Sequence, residues 1–75
     1  MEKELTAQDA QALIDLNEET SRVAFATLRQ LLDEPEPRRG FYQERLLTSL
    51  TLCTDLVKTR IRYESERRKA LQAGR

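Results

Sequence analysis

The sequence predicts an all-α fold: an antiparallel two-helix hairpin that dimerises into a four-helix bundle, with residues 1–75 forming one domain. Three observations carry this expectation. Apolar residues recur at helical spacing in two long stretches, neither of which contains Gly or Pro. One short segment, Asp33-Glu34-Pro35-Glu36-Pro37-Arg38-Arg39-Gly40, divides them, and so short a connection turns the second helix back along the first. A chain of 75 residues is also near the size at which a single core struggles to offset the entropy of folding. The usual staples of small domains are missing, since one Cys cannot form an internal disulfide and a chain without His has no mixed nitrogen–sulfur zinc set.

The first helix is expected over about 7–32. Thr6 is placed to cap it, with Asp9 answering as a shortened capping-box acid and Leu5 stapling onto Ala10. About 26 residues at 1.5 Å each give a rod of roughly 39 Å. Ala10, Leu13, Ile14, Asn17, Ser21, Ala24, Leu28, Leu31 and Leu32 share one side, flanked by Leu16 and Val23 on one edge and Phe25 on the other. That arc covers about half the circumference, wider than one neighbouring helix needs. The loop spans 33–40, where Pro35 and Pro37 block helix continuation and Gly40 can take angles closed to other residues.

The second helix is expected over about 41–73, stopped by Gly74. Leu46, Leu50, Cys53, Val57 and Ile61 advance by fours and threes and form the stripe expected to meet the first helix. Pairing positions whose numbers sum to about 74 sets Leu28 against Leu46, Ala24 against Leu50, Ser21 against Cys53 and Asn17 against Val57. A second apolar set, Leu13, Leu16 and Val23 with Leu52, Leu56 and Tyr63, is left on one flank. Exposed together, these side chains exceed the apolar patch a soluble monomer usually tolerates, so the flank is expected to be a homodimer interface or to be covered by another protein.

Charge is balanced overall, with 13 bases and 13 acids, but is divided along the chain. Residues 1–36 hold nine acids against three bases, and residues from Lys58 onward hold seven bases against two acids. Arg60, Arg67, Arg68 and Lys69 could therefore contact phosphates, which makes a small dimeric nucleic-acid-binding regulator the alternative reading. The hairpin supplies a competing explanation. It lays this basic end beside Glu2, Glu4, Asp9 and Asp15, so complementarity selects antiparallel pairing with no outside ligand, and this reading is preferred.

Other features read as structural. Cys53 lies in the apolar stripe with no His to activate it. Asn17, Thr20 and Ser21 form a polar layer suited to fixing register. Glu18-Glu19 and Asp33-Glu34-Glu36 are solvated acids, since a di-metal bundle site draws on Glu-x-x-His motifs. No catalytic residue, cofactor or metal is expected. Arg38, Arg39, Phe41 and Tyr42 cluster at the loop end; Arg and aromatic side chains are common protein-contact residues, and the two aromatics could equally close the core.

The expected function is thus a non-enzymatic protein–protein interaction module, a small helical adaptor or inhibitor. In size and shape it resembles small chaperones of bacterial secretion machines and virus-encoded, for example phage-encoded, inhibitors of host proteins; the resemblance assigns no residues. With no signal-like N-terminus, no membrane-length apolar run and one unpaired Cys, a cytoplasmic location is expected.

Overall fold

The computed structural model of the chain describes residues 4–33 and 41–74. Arg38 and Arg39, with the rest of segment 34–40, lie outside the described residues. Two helices pack against each other: α1, Ala7–Leu32, and α2, Phe41–Gln72.

Local chemistry explains the helix ends. The Thr6 Oγ1 accepts from the Asp9 amide at 3.0 Å, while the Thr6 backbone stays extended. Asp9 places its charge in the first turn and Arg29 in the last, both matching the helix dipole. At the far end of α2, Gly74 adopts φ 73°, a left-handed angle that a side chain disfavours, and its amide reaches the Leu71 carbonyl.

The seam between the helices follows a strict alternation of fours and threes. On α1 it consists of Ala10, Ile14, Asn17, Ser21, Ala24, Leu28 and Leu31. On α2 it consists of Tyr42, Leu46, Ser49, Cys53, Leu56, Arg60, Tyr63, Arg67 and Ala70. All of these are buried or half-buried. Two of the three cross-helix hydrogen bonds among the described residues end on backbone carbonyls and fix the register: Asn17 Nδ2 donates to the Leu56 carbonyl at 3.0 Å, and the Tyr42 hydroxyl donates to the Leu31 carbonyl. Both pairs sum to 73, one position from the expected register.

The face that α2 turns inward differs from the expected one. Leu50, Val57 and Ile61, expected in the seam, lie outside it, with Ile61 62% exposed. Their places are taken by Ser49, Leu56, Arg60 and Tyr63. The reason is periodic: the expected column drifts by advancing four, three, four, four, whereas the observed one keeps the seven-residue repeat. Arg60 and Arg67 satisfy that repeat because a long aliphatic stem can lie along apolar surface while its charged head reaches solvent.

The enclosed side chains are small. Ile14 is the only large aliphatic one in the buried set among the described residues; the others are Ala10, Ala24, Cys53, Ala70 and the polar Asn17. Removing the α1 cap should therefore be felt by a thinly supported fold. Thr6→Ala is expected to lower stability by about 1 kcal/mol in urea unfolding followed by circular dichroism.

Candidate functional site

The two broad faces of the hairpin, above and below the plane of the helices, carry most of the exposed apolar side chains. On the first, α1 presents Phe25 and, one heptad later, Leu32. On the same side, α2 presents Leu50 and Val57, also a heptad apart, beside Ile61. Between the helices on this side runs a groove of about 280 Å³ with walls of Phe25, Leu56, Val57 and Ile61. Its floor is polar. Asn17, 6% exposed, donates to Leu56, and the Ser21 hydroxyl donates to Asn17 Oδ1 at 3.4 Å. Among the described residues no buried polar side-chain atom lacks a partner, so the floor is satisfied from within the chain.

Arg60 and Glu64 form the groove's charged rim, 3.0 Å apart. The hydrogen bond to Glu64, aided by the charges of Glu18 and Asp15 on α1, raises the Arg60 pKa above its ordinary value. An arginine is already charged at any pH the fold would meet, so this arrangement holds a cation in place and provides no pH switch.

The second face carries Leu16, Val23 and Leu52, which are exposed, beside the half-buried Leu13. Thr20 and Thr27 share the heptad column of Leu13 and turn their hydroxyls back to the carbonyls of Leu16 and Val23. Their methyl groups then extend the apolar surface. The six residues expected to form a dimer interface are therefore not brought to one surface: Leu13, Leu16, Val23 and Leu52 lie on this face, while Leu56 and Tyr63 belong to the seam inside the hairpin.

The loop-end candidates also divide. The Tyr42 hydroxyl closes the seam against Leu31, whereas Phe41 is exposed beneath the Arg45 guanidinium, 5.7 Å from its ring centre. At the basic end, Arg60 is held by Glu64 and Arg67 donates to Gln11 Oε1. Lys69 lies 3.6 Å from Glu66, and Arg68 is exposed. Of the acids expected to neutralise the basic end, Glu2 lies outside the described residues, and Asp9 and Asp15 make no direct ion pair with that end. Among the described residues, no ion pair joins Asp9, Asp15, Glu18 or Glu19 to a base of α2. Glu18 and Asp15 act on Arg60 through space.

Cys53 is buried in the seam, as its neighbours suggested. Among the described residues there is no group of three or more His, Cys, Asp or Glu that could hold a metal ion, and no helix is long and apolar enough to cross a membrane. The seam roles of Ser49, Arg60 and Arg67, and the part of Gln11 as acceptor for Arg67, escape a search for apolar residues. A strict seven-residue count forward from Tyr42 and Leu46 would have found the α2 members.

Comparison of the chain with protein-family models, with curated proteins and with solved structures gives no match.

The polar floor can be tested directly. Asn17→Ala removes the cross-helix bond and the Ser21 acceptor inside a buried site, and is expected to lower stability by about 1–2 kcal/mol. Ser21→Ala, which leaves Asn17 bonded to Leu56, should cost less than half as much in the same urea titration.

Proposed function

We propose that this chain is a non-enzymatic protein-interaction module, a helical adaptor or inhibitor that completes its own core by packing against another helical surface. The first such surface is a second copy of itself, giving a homodimeric four-helix bundle. A further protein then docks on what remains exposed. The observation that carries this reading is the distribution of side-chain size. The buried seam positions are mostly small and the larger seam residues Leu28, Leu31, Tyr42, Leu46, Leu56 and Tyr63 are only half-buried, while Leu16, Val23, Phe25, Leu32, Leu50, Leu52, Val57 and Ile61 stand outside the seam. In a self-sufficient small domain the large apolar groups are the ones enclosed.

Two more features support an interaction role over a catalytic one. The chain has no His, and its single thiol is enclosed in the seam, which leaves no pairing of nucleophile and imidazole base. Apolar faces bordered by charge, on a scaffold with little interior, are the usual format of helix-on-helix recognition.

The test is the dependence of stability on chain concentration. If folding is coupled to association, raising the concentration a hundredfold should raise the thermal midpoint by about 5–10 °C. A cooperative midpoint that does not move over that range would overturn the self-association on which the reading depends.

A further inference from the structure

We propose that the second copy covers the grooved face, the one bearing Phe25, Leu50, Val57 and Ile61, with the two loops at the same end of the bundle, so that α1 of each chain lies along α2 of the other. This rests on the self-association reading above and specifies its surface and orientation.

The area available matches a stable dimer. A compact monomer of 8.8 kDa exposes about 4,800 Å², whereas this chain exposes 6236 Å². The excess, about 1,400 Å², is more than the roughly 800 Å² that each partner buries in a standard interface. One face closed by a second copy accounts for more than half of it.

The grooved face is favoured because both helices contribute continuous apolar columns to it. Phe25 stands across from Val57 and Ile61 on a groove that a large side chain can enter, and Leu50 and Leu32 continue the exposed apolar surface toward the loop end. On the opposite face, the main exposed apolar groups of α2 are Leu52 and Phe41, which lie three turns apart.

Charge selects the orientation. Within the helices, α1 holds four acids against two bases, and α2 holds seven bases against four acids. Loops at opposite ends would lay α1 on α1 and α2 on α2, stacking like on like. Loops at the same end lay the acidic helix on the basic one twice over. In that arrangement each residue keeps its level, so cross-chain neighbours obey the same sum of 73 as the pairs within the hairpin. Asp15 of one copy comes level with Lys58 of the other, and Phe25 falls between the levels of Leu47 and Leu50. Asp15 makes no ion pair among the described residues of its own chain and is exposed, whereas Glu18 comes level with Asp55 and adds nothing to the pairing.

Light scattering after size exclusion separates the possibilities when applied to three variants of the full chain. Ile61→Asp and, independently on the other helix, Phe25→Glu are expected to raise the dimer dissociation constant about 30-fold or more. Val23→Asp, on the opposite face, should change it less than about 3-fold. All three side chains already point to solvent, and circular dichroism at high concentration checks that the helices persist. A dimer that withstands Ile61→Asp and Phe25→Glu but is lost with Val23→Asp overturns the choice of face. A wild-type chain that is monomeric overturns the underlying association instead.

Orientation is read from spin labels on Gln72→Cys in a Cys53→Ser background. With loops together, the two α2 ends lie within about 25 Å, from helix spacings of roughly 10 Å. With loops apart they are about 50 Å or more from each other, from the rise along the helix. The longer distance overturns the proposed orientation.

Discussion

The fully closed positions of the seam between α1 and α2 are held mostly by small side chains, and much else in the molecule follows from that. Ala10, Ser21, Ala24, Ser49, Cys53 and Ala70 leave the helices little side-chain bulk to accommodate between them. Each contributes correspondingly little apolar area, at roughly 25 cal/mol per Å² buried. The larger seam residues Leu28, Leu31, Tyr42, Leu46, Leu56 and Tyr63 stay half-buried, and other large apolar groups lie on the two faces. A two-helix unit built this way has the outline of a folded domain but only part of a domain's interior.

Polar groups then decide how the seam is aligned. Asn17 spends its amide on the Leu56 carbonyl, and Tyr42 closes the loop end against Leu31, so slipping one helix past the other would break both bonds. The arginines on α2 act differently. Arg60 and Arg67 occupy seam positions by their stems while their heads are tied at the surface to Glu64 and Gln11. The Arg60–Glu64 pair is more than a third exposed on both sides, and surface pairs of that kind contribute little to stability. Their part in the structure is to shape a groove rim and to give α2 a positive field beside an acidic α1.

Much of this was legible in the sequence. The bounds of α1, the Thr6 cap, the glycine stop after α2 and the antiparallel register to within one position all follow from local chemistry, because capping, proline exclusion and helical spacing act within a few residues. The rotation of α2 was not legible from apolarity. Leu50, Val57 and Ile61 make a more apolar column than Ser49, Leu56 and Arg60, and a reading by hydrophobicity picks the first. Packing picks the second because the seven-residue repeat and close approach matter more than the hydrophobicity of any single position. The expected flank divides for the same reason. Once α2 is turned, Leu56 and Tyr63 belong to the seam, Leu16, Val23 and Leu52 stay outside, and a second apolar face appears on the opposite side.

Equilibrium sedimentation of the purified chain at micromolar concentration tests the central claim most directly, because an interior shared between chains must show as mass. The account predicts a species of twice the 8.8 kDa chain mass that dissociates on dilution with loss of helix. A single species of one chain mass, helical and cooperatively unfolding at every concentration, would contradict it.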